Sequence, residues 1–278
     1  MTNASERAVR IANEISALTT TEHYRLVLDE KRVPVITDSK IGGQPYWPAG
    51  KEYPTDHKGN KMMMVMQINC SEAGLQHPLP SHGMLQWFIS VDAERMYGCK
   101  GNFDADREGA IIIYHDTIGK PAMLTDVPTH DTVEDMLTPI KREVAIEAVL
   151  ETTSMGVNDG HFNELFFRIV KEITGSEHTN EEWYQYLDNE DCLYFEKNLG
   201  MKRPCHQMLG YPVYSQGEIR KDLGQHDTLL FQLDSQFSAT GQGELVMWGD
   251  MGSGYVFVNQ GDLATLDFSH PYYCWDCG

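Results

Sequence analysis

Basic residues are scarce in this chain. Lys and Arg number 22 against 41 Asp and Glu, a formal net charge of −19. A surface so short of cations cannot neutralise a phosphate backbone, so no nucleic-acid partner is expected. A basic protein partner suits the charge instead, through complementary fields. Cysteine is sparse as well. Cys70, Cys99, Cys192, Cys205, Cys274 and Cys277 are too few in 278 residues to staple a disulfide scaffold. The reducing cytoplasm of a bacterial cell is therefore the expected compartment. No window approaches the roughly 18 apolar residues that a membrane-spanning helix needs. Residues 1–7 show no basic region leading into an apolar run, so neither a signal peptide nor a membrane partner is expected.

Catalytic signatures are missing too. No Gly-x-Ser-x-Gly elbow occurs, and Gly252-Ser253-Gly254 is too short for one and reads as a hairpin turn. The dinucleotide and P-loop glycine patterns are absent, so no cofactor is expected. Cys274-Trp275-Asp276-Cys277 has the spacing of two thiolate ligands, but structural zinc needs two more Cys or His. Cys205-His206 lies far off in sequence, so no metal is expected, and Cys274 and Cys277 are the residues to test for one. His115-Asp116 and His226-Asp227 resemble fragments of metal or acid–base sites, with loop placement favouring solvent exposure. Whether the chain is an enzyme is left open by its sequence, leaning towards no.

What the chain does have is a glycine–proline stretch with an echo. Ser39-Lys40-Ile41-Gly42-Gly43-Gln44-Pro45-Tyr46-Trp47-Pro48 is followed much later by Gln207-Met208-Leu209-Gly210-Tyr211-Pro212-Val213-Tyr214. Glycine permits positive φ and proline fixes φ, so each copy specifies a rigid turn with aromatics close behind.

Around these turns the periodicity alternates between two kinds. Ala8, Ile11, Ala12, Ile15 and Leu18 share a helical face. Residues 24–28 fit a short strand or a helical turn. The near-continuous apolar run 61–69, with four methionines as flexible filling, predicts a buried strand, as do 83–89 and 110–114. Helical spacing returns over 132–152, in Val144, Ile146, Val149 and Leu150, and over 160–173; 181–187 reads as a third short helix. Strand patterns resume at 228–235, 243–250 and 254–258. Gly43-x-Pro45 recurs at an offset of 167, Met66-Gln67-Ile68-Asn69 matches Phe231-Gln232-Leu233-Asp234 at 165, and Gly83-x-Leu85 matches Gly243-x-Leu245 at 160. Three blocks in one order predict a duplicated strand-rich unit. The expected fold is α+β with mixed or antiparallel sheets, a single domain over 1–278. Its repeat halves would be 33–115 and 204–277, with a helical middle at 130–190.

The chain resembles the YwqG-like family of uncharacterised bacterial proteins. The matching pieces are the 39–48 stretch, Gln67-Ile68-Asn69, Gly83-Met84-Leu85-Gln86-Trp87-Phe88, and His206-Gln207-Met208-Leu209-Gly210-Tyr211-Pro212. Leu230-Phe231-Gln232-Leu233-Asp234-Ser235, Met247-Trp248-Gly249-Asp250-Met251-Gly252 and Trp275-Asp276-Cys277 complete them. The resemblance implies an α+β fold and no settled activity. Some members of the family look like immunity proteins or neighbours of secreted toxins.

Polar residues on apolar strands are the remaining candidates. Gln67, Asn69, Gln232, Asp234 and Asp250 must be satisfied if buried, because an orphaned polar group costs ~1–3 kcal/mol. One reading has Gln67 and Gln232 closing hydrogen bonds to loop backbone at equivalent points of two repeats. The other has them lining a cleft between the repeats with Trp47, Tyr211, Trp248 and Trp275. The resemblance adds His206 beside Tyr211. The function expected is non-enzymatic protein binding, with a toxin-immunity-like role; a small-ligand protein or enzyme using the cleft is the alternative.

Overall fold

The computed structural model describes residues 4–100, 108–178, 181–220 and 222–278. In chain order the strands are β1 (Thr21–Asp29), β2 (Lys40–Ile41), β3 (Met63–Asn69), β4 (Met84–Ile89), β5 (Ala110–His115) and β6 (Val144–Thr153). They continue as β7 (Gln207–Leu209), β8 (Thr228–Asp234), β9 (Gln236–Phe237), β10 (Glu244–Val246), β11 (Ser253–Val258) and β12 (Tyr272–Asp276). The helices are α1 (Glu6–Thr19), α2 (Phe162–Thr174), α3 (Trp183–Tyr186), α4 (Asn189–Asn198) and α5 (Gln260–Ala264).

Ten strands form one sheet in the order β12-β11-β8-β7-β1-β6-β2-β3-β4-β5, and every neighbouring pair is antiparallel. The architecture is α+β but strand-dominated. The sheet curls until its flanks meet, nearly a barrel. Trp87 on β4 stacks on Phe231 of β8 at 6.2 Å and on Trp248 at 5.8 Å, and meets Tyr273 of β12 edge-on. Alternation on β12 shows how the sides are assigned: Tyr273 and Trp275 enter this inner core, while Tyr272 and Cys274 pack outside with Tyr214, Leu229, Tyr255 and Phe257. Strand periodicity of two requires that split.

The order is symmetric about the β1–β6 pair. Outward from β6 run β2, β3, β4 and β5, and outward from β1 run β7, β8, β11 and β12. The two turns match in backbone as well. Gly42 and Gly43 have φ of 62° and 68°, and Leu209 and Gly210 have 62° and 71°. Leu209 thus holds a left-handed conformation that its counterpart gives to glycine. The Gly83/Gly243 echo does not fit this symmetry. Gly83 precedes β4, whose counterpart is β11, whereas Gly243 precedes β10 in a separate two-stranded piece with β9.

Residues 144–153 correct the sequence reading. The expected helix over 132–152 is absent; 144–153 form β6, and the helical part of the middle runs from α2 to α4, 162–198. Val144, Ile146, Val149 and Leu150 satisfy a helical count, but β6 pairs residue for residue with β1, from Thr21–Thr153 to Asp29–Ala145. That long pairing, with β-branched residues at Val144, Ile146, Val149, Thr152 and Thr153, overrides the local signal.

The helices make a second core beside the sheet. Ile11 and Ile15 of α1 join Phe162, Phe166 and Ile169 of α2, Trp183 of α3 and Phe195 of α4. Ser5 caps α1 by accepting from the Ala8 N–H. Its own N–H and Oγ donate to the Asp191 carboxylate, each at 2.7 Å, which ties α1 to α4.

Candidate functional site

The strand glutamines anchor the turns. Gln67 Oε1 accepts from the Tyr46 N–H at 2.8 Å and from Gln86 Nε2 at 3.2 Å; its Nε2 donates to the carbonyls of Ile36 and Asp38. Gln232 Oε1 accepts from the Val213 N–H at 2.9 Å and from Gln207 Nε2 at 3.1 Å; its Nε2 donates to the Val213 carbonyl and Asp234 Oδ1. In each half the anchored residue directly follows the turn proline. Next to each, a side chain accepts from the strand: Ser39 Oγ from the Asn69 N–H, and His206 Nδ1 from the Asp234 N–H, both at 3.0 Å. Every polar group of these two glutamines is therefore committed to holding a loop.

His206 and Asp234 belong to the same lattice. His206 uses Nδ1 as acceptor, so Nε2 carries the proton and donates to Gln236 Oε1 at 2.6 Å. Burial holds the His206 pKa below the usual imidazole value. Asp234 Oδ2 accepts from the Cys205 N–H at 2.6 Å and from Arg203 Nε at 3.2 Å. Arg203 extends to the Met251 and Gly252 carbonyls, Ser253 Oγ and Ser215 Oγ, clamping the end of the β8–β11 pair.

The other candidates lie elsewhere. Trp47 covers the outer face of β3 and β4 with Met62, Met64 and Phe88. Trp248 and Trp275 sit in the inner core, and Asp250 is exposed. Four strands separate Gln67 from Gln232, roughly 24 Å along the sheet at the usual strand spacing. No single cleft gathers these residues. Cys274 and Cys277 face opposite sides of the terminal strand, with Cys274 in the outer cluster and Cys277 against the inner core. Burial raises the Cys274 thiol well above its usual pKa, which opposes thiolate ligation. Among the described residues no group of three or more His, Cys, Asp and Glu is placed to hold a metal ion.

Tyr211 is the candidate that borders open space. The second turn projects it, half-buried, between two cavities. The smaller, about 210 Å³, lies under the helical block among Asn158, Trp183, Glu196, Tyr211 and Tyr214. The larger, about 690 Å³, opens at one end of the barrel among Glu22, Tyr24, Gln76, His77, Tyr211 and Asp227. Among the described residues no Lys or Arg lines either cavity.

Behind Tyr211 and Tyr214 lies a charged cluster with no sequence motif. Glu218 accepts from Tyr214 Oη at 2.7 Å and takes a two-point grip from Arg220, Nε at 2.9 Å and Nη2 at 2.7 Å. The Arg220 guanidinium lies 4.6 Å from the Phe257 ring centre and donates to the His226 carbonyl. Burial alone would raise the Glu218 pKa, but Arg220's hydrogen bonds and charge outweigh it and hold it low. Asp159 is 7 % exposed, and its Oδ1 accepts from the His161 N–H. Burial pushes its carboxyl pKa up, and burial with the nearby Asp159 charge raises the Tyr211 phenol. Asp159, Glu218 and Arg220 stand in ordinary polar loop sequence, and only the Glu218-x-Arg220 alternation hints at a local pair. Asp227, flagged in the sequence through its neighbour His226, accepts from Thr228 Oγ1 and the Gln260 N–H at the cavity rim.

The site is a partly open pocket walled by Trp183, Tyr211 and Tyr214 beside a wider mouth bordered by Glu22 and Asp227. No curated protein matches the chain. A family model described as a domain of unknown function, DUF1963, matches residues 39–277, a span holding both turns, both glutamines and the whole charged cluster. The chain belongs to the DUF1963 family.

Proposed function

We propose that the protein is a ligand-binding protein whose site is the pair of cavities divided by Tyr211. The carrying observation is that Tyr211, alone among the sequence candidates, borders both cavities. The others serve as turn anchors, core or outer packing, apart from the exposed Asp250. In support, the larger cavity is of the size that encloses small molecules and occupies a barrel mouth, a usual place for such sites.

The test is a thermal-shift screen of a metabolite collection on the wild type and on Tyr211→Ala. Compounds that raise the wild-type Tm and leave the variant unmoved fit the reading, since only native-state binding stabilises. A collection that moves neither protein, or both equally, contradicts it.

A basic protein partner, in a toxin-immunity-like role, is a second reading, favoured by the net charge of −19. Salt-dependent capture of one basic protein, lost with Tyr211→Ala, would support it. The matched φ values and glutamine anchors also favour an origin of the two halves by duplication of one strand-rich unit, with β1 and β6 at the junction. The six free cysteines suit a reducing compartment.

A further inference from the structure

The two central strands are entered by different kinds of segment, and the difference falls on the two turns. The halves correspond closely in register. Val144 of β6 pairs with Ile41 as Tyr24 of β1 pairs with Met208, and the pairing skips one residue at Val65 on β3 and at Leu230 on β8. In the first half the segment before β6 folds back across the turn. His130 Nδ1 accepts from the Gly43 N–H at 3.3 Å, and Ile140 sits so close over Gly42 that an added Cβ would lie 2.7 Å from its Cγ2. What stays open there is a cavity of about 330 Å³ bordered by Glu30, Arg142 and Val144.

In the second half the segment before β1 is α1, which joins the helical core and contributes no residue to the larger cavity. The second turn is left uncovered. Leu209, at the same φ as Gly42, carries a side chain where Gly42 has room for none. The Gly210 N–H is the counterpart of the Gly43 N–H that His130 takes, and it has no acceptor among the described residues. Leu209 and Gly210 both line the larger cavity, which measures about 690 Å³ against about 330 Å³ at the other end. Leu150 on its wall is 43 % exposed. An unclaimed donor beside an aliphatic wall is what the first turn also presents, and there polypeptide covers it.

Resting on the binding reading above, we propose that the larger Tyr211 cavity seats a peptide segment of a partner protein, which covers the second turn as residues 127–140 cover the first. An acceptor side chain of that segment takes the Gly210 N–H, in the place of His130. An aliphatic side chain lies against Leu209 and Leu150, in the place of Ile140. Glu22 and Asp227 on the rim, with no Lys or Arg among the described lining residues, repel a carboxylate. The acceptor is therefore neutral: an imidazole, an amide or a hydroxyl.

The probe is a phage-displayed library of random peptides of the length of 127–140, selected on the full-length protein and counter-selected on Leu150→Lys. Leu150 already stands partly in solvent, so this variant folds, which its Tm verifies, while its charge spoils the aliphatic wall. Enriched peptides are then synthesised and titrated into isotope-labelled protein, and the backbone amides are followed by NMR. The enriched sequences should pair a His, Asn, Gln, Ser or Thr with a Val, Ile or Leu. With peptide bound, the Gly210 amide proton should move downfield and exchange about tenfold more slowly, whereas the Gly43 amide, already held by His130, stays unchanged. Leu150→Lys should weaken binding by about tenfold. No enrichment over the counter-selection, or peptides that bind without moving the Gly210 amide, overturns the proposal. A metabolite that raises the Tm of the wild type but not of Tyr211→Ala, while no peptide is enriched, overturns the peptide class and leaves the binding site standing. With neither peptide nor metabolite, both readings fall.

Discussion

His115 gives this fold a measurable weakness to acid. Its ring is 4 % exposed and meets Trp47 edge-on at 4.9 Å and Tyr46 at 6.0 Å. Neither ring nitrogen has a hydrogen-bond partner. Burial, reinforced by the Lys51 charge, lowers its pKa from 6.5 to about 4. The folded state therefore resists the proton that the unfolded chain accepts at about pH 6.5. Above that pH both states are neutral and the residue contributes no pH dependence. As pH falls from about 6.5 to about 4 the unfolded state is progressively favoured, by about 1.4 kcal/mol per unit of pKa difference and about 3 kcal/mol in all. The perturbation to compare is His115→Phe, which keeps an aromatic ring against Trp47 and cannot titrate. Urea unfolding of both proteins at pH 7 and pH 4 measures the effect, using matched m-values. Other groups titrate alike in both and cancel. The variant's stability relative to wild type should rise by about 3 kcal/mol between those pH values. At pH 7 the variant should equal or exceed wild type, since it removes a buried polar group without a partner. A difference independent of pH refutes the burial argument.

Further outcomes follow from the same structure. Gln67→Met should cost about 3 kcal/mol in urea unfolding, because it strands the Tyr46 N–H and the Ile36 and Asp38 carbonyls, and Gln232→Met about 2 kcal/mol, because it strands the Val213 N–H and takes a donor from Asp234 while Tyr255 still serves the Val213 carbonyl; losses under 1 kcal/mol would show that the turns stand without their anchors. Asp234→Ala should cost about 3 kcal/mol by leaving Arg203 Nε and the buried Cys205 N–H without an acceptor, whereas Asp250→Ala, at an exposed position, should stay within about 0.5 kcal/mol.

Much of the sheet was legible because its strands are apolar on both faces. β3, β4, β8 and β11 are covered inside by the barrel core and outside by the Trp47 and Tyr255 clusters, so they read as continuous runs. β6 was not legible, since its half-exposed residues blur the alternation and its partner β1 lies far away in sequence. Trp248 and Trp275 pointed to a cleft only while their facing was unknown; pairing of β12 with β11 places Trp275 inward. Tyr211 could be picked from its turn. Asp159, Glu218 and Arg220 could not, because loops remote from one another in sequence meet only once the helical block docks on the sheet. The DUF1963 match and the YwqG-like resemblance both begin at Ser39 and end at Cys277.

The most direct measurement is a crystal soak with a mixed set of small organic fragments, cationic, neutral and anionic. The account predicts density between Trp183 and Tyr211. Fragments gathering in the Glu30–Arg142 cavity, or along the seam of Ile111, Ile113, Phe268 and Pro271, while the Tyr211 cavities stay empty, would contradict it.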